Sequence, residues 1–329
     1  MFIGHGLIAF AVAACVADWR GWEPRRALLV GAVAGTFATI PDIDVAYALV
    51  GLLEWHVSDG VLGASTAFWD ASRDVHRSVT HSLVVGAVAA PAFGLLAVRS
   101  GSVRARVARA AAVALLVGLI VIAVARDGPI AALVMCLFAA SGLLVARGVA
   151  RASTLSPPTV ALAALWGLWS HPWGDFLTGS PPDWLFPFGA PVLESRLVLH
   201  SDPTLNLLGA FGIELATIWL ALAVGCRLTD RSLRAAIDRR AGIGVAYGGA
   251  ALAVTPPTLD VSYHFVFSIL GVGLLCGVVR ESPSLALPRP RARRFPSSDG
   301  LLEMALTALT AVTVALAAYV AVYLVAVPS

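Results

Sequence analysis

The chain is 329 residues long, 58% hydrophobic and only 13% charged, with a mean hydropathy of +0.83. Ordinary soluble domains carry about 25% charged residues, so the composition excludes that class and predicts an all-α, polytopic transmembrane helix bundle embedded in the lipid bilayer. The formal net charge of +3 comes from 23 basic residues, all of them arginine, set against 20 acidic ones, and no nucleic-acid partner is expected.

A helix needs about 20 apolar residues to cross a bilayer, and fewer where the membrane thins. Ten segments qualify or nearly do: residues 2–17, 27–41, 79–98, 109–125, 129–146, 157–171, 204–226, 241–255, 263–279 and 301–327. The first lacks the basic n-region and cleavage site of a signal peptide, so it is expected to remain as a span. The first, second and sixth are short and each has a polar motif at one end. Their ends are therefore expected to line a water-filled pocket, where irregular backbone is tolerated. Cys15, Cys136, Cys226 and Cys276 are scattered through apolar runs. They read as small buried hydrophobes, not as a disulfide framework or a paired-cysteine zinc site.

If residues 45–55 lie in the membrane interface instead of crossing, the loops alternate sides and 19 of the 23 arginines collect on one of them. Arg73, Arg77, Arg126 and Arg196 fall opposite. The positive-inside rule then puts the arginine-rich side in the cytoplasm of a multi-pass inner-membrane protein, with both termini outside. Under the same topology His5, His56, His76, His81, His171, His200 and His264 all fall on the arginine-poor side, which is where the chemistry is expected.

Gly4-His5-Gly6 opens the first span with an imidazole between two glycines that allow close approach of a backbone or a metal. Ile40-Pro41-Asp42-Ile43-Asp44 closes the second with two carboxylates that repel unless a cation or proton sits between them. Asp74-Val75-His76-Arg77-Ser78-Val79-Thr80-His81 precedes the third: His76 and His81 are candidate ligands, Arg77 a bidentate partner for an anionic group, and Asp74 and Thr80 outer groups that orient an imidazole. His171 and Asp175 close the sixth, four apart and so on one helical face. Thr178, His200, Asp202 and His264 are further candidates at the edge of such a site. Four weak signals on one side of the membrane make a stronger one, sufficient for one well-filled metal site or two adjacent ions.

In this order the motifs resemble the YdjM-like membrane-bound metal-dependent hydrolases. The resemblance runs through Gly4-His5, Ile40 to Asp44, His76 to Ser82, His171 to Thr178, the Trp184 to Phe188 run and the element at Asp202, over about residues 1–215. It implies a metal-dependent hydrolase core over residues 1–215, with additional C-terminal transmembrane helices over 216–329. The chain departs from the family pattern at Val45, where histidine is usual, at Ser78 in place of glycine, and at Gly179 in place of proline. More loosely, the His-x-x-x-Asp pair is similar to that of the helical zinc phospholipases C, a fold-level analogy toward phosphoester chemistry.

The expectation is a metal-activated water at a site held by His5, Asp42, Asp44, His76, His81, His171 and Asp175, with zinc first and manganese second as the divalent metal. Asp44 or Asp175 would take the proton and Arg77 would clamp an anionic or lipid-like substrate, such as a phosphoester. The alternatives are a metal or proton transporter using the same cluster, which requires a second polar cluster toward the cytoplasmic face, and a non-catalytic membrane partner-binding protein.

Overall fold

In lipid each backbone N–H must find its acceptor within its own segment or in a closed barrel, and helix is the only regular structure among the described residues. The computed structural model describes residues 2–47, 60, 79–178, 181–190, 192–259, 261–278 and 298–326. The chain divides into two compact units, Met1–Leu197 and Val198–Ser329.

The first unit holds α1 (Phe2–Trp19), α2 (Pro24–Ala38), a 3-10 helix over Pro41–Tyr47, a short one over Val79–His81, then α3 (Leu83–Leu96), α4 (Val103–Ala152) and α5 (Pro157–Thr178). Pro24 starts α2 where its missing N–H costs nothing. The helix stops at Ala38 because Pro41 disfavours helical backbone at the residue before it, and the chain tightens into the 3-10 turn that carries Asp42 and Asp44. Ser82 caps α3, accepting from the Val84 and Val85 N–H groups, while its hydroxyl donates to the Phe186 carbonyl (2.9 Å) and the Leu83 N–H donates to that of Trp184 (2.9 Å). The segment after α5 is thereby tied down over the start of α3, with Trp184 and Phe186 buried.

Helix α4 spans 50 residues, about 75 Å if straight. Yet Arg109 near its start donates to the Ser100 carbonyl (3.2 Å), and Arg99 donates to the Ala150 (2.6 Å) and Leu155 (3.1 Å) carbonyls at its end. Both ends therefore lie beside residues 99–100, and α4 doubles back at Gly128, whose φ of 81° suits glycine alone. Its two arms correspond to the expected segments 109–125 and 129–146.

Between apolar helices in lipid, close packing of small residues replaces the hydrophobic drive. A Cβ added at Gly35 would come 2.7 Å from the Gly6 carbonyl oxygen, and one at Gly167 2.4 Å from that of Ala34, so α1, α2 and α5 meet backbone to backbone. Phe37 stacks on Phe93 at 5.4 Å, and Phe93 meets Phe138 at 6.0 Å in a tilted contact, filling the centre of the unit. The N-terminus of α1, the C-terminus of α2, the N-terminus of α3 and the C-terminus of α5 consequently share one end of the bundle. Arg20, Arg25, Arg26, Arg99 and Arg151 mark the other.

The second unit holds α6 (Pro203–Leu228), 3-10 turns over Arg234–Ala236 and Arg239–Gly249, α7 (Ala250–Ala253), α8 (Tyr263–Val278) and α9 (Ser298–Ala326). Tyr319 packs against Phe265 (5.1 Å) and Tyr247 (6.0 Å) at its core.

Four helical segments are long and apolar enough to cross a membrane: Pro24–Val45, Val103–Ala152, Pro203–Leu228 and Asp299–Ala326. The expectation of about ten spans is not supported among the described residues. Ile3–Trp19, Leu83–Leu96 and His264–Val278 are apolar but shorter. Residues 241–255 form no spanning helix at all, because their glycine-rich run disfavours α-helix and winds instead as the 3-10 segment followed by the four-residue α7.

Candidate metal centre

Asp42, His81, His171 and Asp175 converge at the end of the first unit opposite the arginines, each offering one ligand atom within 4.8 Å of the others. The His171 and His81 Nε2 atoms are 3.0 Å apart. His171 Nε2 lies 3.4 Å from Asp42 Oδ1 and 3.3 Å from Asp175 Oδ2, and His81 Nε2 lies 3.9 and 3.0 Å from the same two oxygens.

The outward-facing nitrogens decide what the inward ones carry. His171 Nδ1 lies 2.6 Å from the Ala38 carbonyl oxygen, a pure acceptor, so Nδ1 holds the hydrogen and Nε2 presents a lone pair. Thr80 Oγ1 spends its single hydrogen on the Pro41 carbonyl (3.1 Å) and must therefore accept from His81 Nδ1 at 3.1 Å. Asp44 Oδ2 adds to that edge at 3.5 Å, so His81 Nε2 also points a lone pair inward. With both rings neutral, two imidazole lone pairs and two carboxylate oxygens face one another with no hydrogen of their own. One proton satisfies one contact of such a set, whereas a divalent cation satisfies all four.

Burial sharpens the requirement. His81 and His171 have no exposed surface, and His5, Asp44 and Asp175 are at most 2% exposed; uncompensated carboxylates there would be very costly. The Asp42 side chain, 10% exposed, marks the opening. In a tetrahedral zinc site with bonds of about 2.0–2.1 Å, donor atoms sit about 3.3 Å apart, and the separations of 3.0–3.9 Å fit that scale. The four residues could hold a divalent metal, and the donor set does not distinguish zinc from manganese.

The remaining expected residues take the following places. His5 lies behind Asp175, with Nε2 3.3 Å from Oδ1 and its ring 4.0 Å from that of His171. Gly174 makes room for it, since a Cβ there would fall 2.3 Å from His5 Cε1. Asp44 and Thr80 sit on the far edge of His81. Thr178 ends α5. Asp74, His76 and Arg77 lie outside the described residues, as does most of the segment 45–55. His200, Asp202 and His264 belong to the second unit. There Asp202 caps α6 by accepting from the Leu205 N–H (2.8 Å) and also accepts from the Tyr323 hydroxyl (3.1 Å). The Leu205 N–H holds the Asp202 carboxyl below its usual range. His200 Nδ1 accepts from the Asp202 N–H (2.9 Å), and His264 Nε2 approaches the Thr255 carbonyl (3.4 Å). Sequence reading missed the Ala38 carbonyl. Its signal was Pro41, which ends α2 and leaves the last carbonyls of that helix without intrahelical partners.

No curated protein and no solved structure matches the chain. Residues 1–255 match the family described as YdjM inner membrane protein. That match contains the whole donor set, from His5 to Asp175, and agrees with the apolar helices in placing the protein in a membrane. The chain belongs to the YdjM inner membrane protein family.

Proposed function

We propose that the protein is a membrane-embedded metal-dependent hydrolase whose substrate is an anionic, lipid-borne phosphoester. The observation that carries this reading is the convergence of two imidazole nitrogens and two carboxylate oxygens at one buried point. Asp42, His81, His171 and Asp175 would hold a divalent ion, whose chemistry when bound would be to acidify water and polarise a phosphoryl oxygen.

The chain's own residues do the rest. Ala38 and Thr80 fix the two rings, and Asp44 steadies the His81 N–H, as outer groups do in metal sites generally. Burial keeps bulk water out, and Asp42 at the opening is where substrate arrives. Trp173, between the two α5 ligands, is 51% exposed. Exposed tryptophans favour the headgroup level of a bilayer, so the site sits at the depth of a lipid phosphate. Arg77, four residues before His81, is assigned to clamp the anionic group. With the arginine-rich end in the cytoplasm, the site and the N-terminus are extracytoplasmic.

The transporter reading requires a second ligand cluster, and among the described residues one group has metal-ligand geometry. Purified protein should retain divalent metal and hydrolyse a member of a lipid phosphoester panel, and His81→Ala should abolish both. Metal-dependent flux into liposomes, with no hydrolysis of any panel member, would favour transport instead.

A further inference from the structure

A second concave site lies at the arginine-bearing end of the first unit, away from the donor set. It is a groove of about 390 Å³ between the C-terminal half of α1 and the N-terminal half of α5, within the size range of small-molecule sites. Residues three or four apart share a helical face, and the two faces that meet here combine small and large side chains. Ala13, Ala17 and Ala163 form the floor and leave depth, with Ala17 and Ala163 buried, while Val16, Leu162 and Trp166 stand exposed along the walls. Trp166 is fixed in place by its indole N–H, which donates to the Ala9 carbonyl (3.1 Å).

The groove is apolar along its length and cationic at one end. The turn from α1 to α2 carries Arg20, Arg25 and Arg26 beside Asp18 and Glu23, yet of these charged groups Arg20 alone lines the groove. Arg20 is exposed, and among the described residues its guanidinium makes no hydrogen bond or ion pair. Trp22 lines the same end, with the Arg26 guanidinium 4.2 Å over its ring. The lining on α1 runs from Val12 to Arg20, about 12 Å of helix rise, which fits within one leaflet of a hydrocarbon core about 30 Å thick.

An apolar slot no deeper than a leaflet, ending on an unpaired guanidinium, is complementary to a phospholipid. The acyl chain covers the alanine floor, and the phosphate meets Arg20, whose planar fork pairs bidentately with phosphate oxygens. A positive charge with no carboxylate in the lining favours a lipid of net negative charge over a zwitterionic one. We infer that this groove binds one anionic phospholipid from the leaflet at the arginine-bearing end, with its chain between α1 and α5 and its phosphate on Arg20. Basic sites between membrane helices hold anionic headgroups in the same manner. The groove and the donor set lie toward opposite ends of α1, so this lipid is a bound component and not the substrate, and the inference is independent of the proposed activity.

The test is native mass spectrometry of the full-length protein, washed free of endogenous lipid in detergent and titrated with dioleoyl phosphatidylglycerol, dioleoyl phosphatidylethanolamine or chain-free glycerol phosphate. The wild type should bind a single phosphatidylglycerol in preference to phosphatidylethanolamine and should not retain glycerol phosphate. Arg20→Gln should weaken phosphatidylglycerol binding about fivefold, and Ala13→Leu, which adds bulk to the floor, should weaken binding of both lipids. Equal binding of the two lipids by the wild type overturns the inference, because the contact is then that of any surrounding lipid. Unchanged phosphatidylglycerol binding in Arg20→Gln or in Ala13→Leu overturns it too, since the lipid then lies elsewhere, as does glycerol phosphate bound as tightly as the lipid. Should Ala13→Leu lose its helix content by circular dichroism, the headgroup comparison and the exposed Arg20→Gln substitution decide the matter.

Discussion

At the scale of single residues, the candidate site is governed by groups outside the four-donor set. His81 and His171 are ordinary imidazoles until Thr80 and the Ala38 carbonyl take their Nδ1 hydrogens and turn both Nε2 lone pairs inward. Thr80→Val keeps the side-chain shape and removes the acceptor at 3.1 Å from His81 Nδ1. It should weaken metal binding about 10- to 100-fold, the usual cost of losing such an outer partner. Helix content should not change, since Thr80 precedes α3 and Ser82 supplies its cap. Competition against a chelator of known affinity measures this; equal affinities in variant and wild type would mean that Thr80 does not set the His81 tautomer. Isolated inspection of Thr80 in the sequence suggests an orienting role, but its particular partners, Pro41 and His81, come from two segments that only folding brings together.

At the scale of elements, capping residues decide where helices start, and the starts and stops decide where ligands stand. Pro41, three residues after the end of α2, stops that helix and so delivers Asp42 and Asp44 on a tight 3-10 helix. Asp202 plays the opposite part, opening α6 and joining it to α9 through Tyr323. Its carboxyl is held below the usual range by the Leu205 N–H. That contribution is fully present above the unfolded value of about 3.9 and is lost as pH falls through the lower folded value. Asp202→Ala should therefore cost about 1 kcal/mol at neutral pH, and the gap between variant and wild type should close in the acid range below about pH 4. Thermal unfolding of both proteins in detergent across pH checks this. A gap that persists undiminished at the lowest pH would show that Asp202 acts through packing and not through its charge.

At the scale of the molecule, the first unit has two chemically different ends. One carries the donor set and the exposed Trp173; the other carries Arg20, Arg25, Arg26, Arg99 and Arg151, with the Arg99 guanidinium fastened to the Ala150, Ser153 and Leu155 carbonyls. The arginine asymmetry predicts the first end outside and the second in the cytoplasm. In a background lacking the native cysteines, Ala190→Cys should react with a membrane-impermeant maleimide in intact cells, and Ser100→Cys only after permeabilisation; both positions are exposed. The reverse pattern would put the metal centre in the cytoplasm and remove outer-leaflet lipids as substrates. Ala190→Cys is preferred to a substitution at Gly189, whose φ of 61° favours glycine.

By itself the sequence determined the solvent, the helical class and the family, because those depend on composition, on run lengths and on motifs whose order survives without coordinates. It also placed His5, Asp42, Asp44, His81, His171 and Asp175 at one end of the bundle, because helices are straight and the residues sit at alternating helix ends. Only the tertiary structure sorted those six into four convergent donors and two groups at their edges. That sorting depends on rotations about helix axes and on contacts such as His171 with Ala38, 133 residues apart in sequence. The count of spans was decided there too. Hydropathy reads 241–255 as a span, but the conformational cost of its glycines and their close packing against α9, where a Cβ at Gly244 would fall 2.3 Å from the Ala311 carbonyl oxygen, produce a 3-10 segment instead.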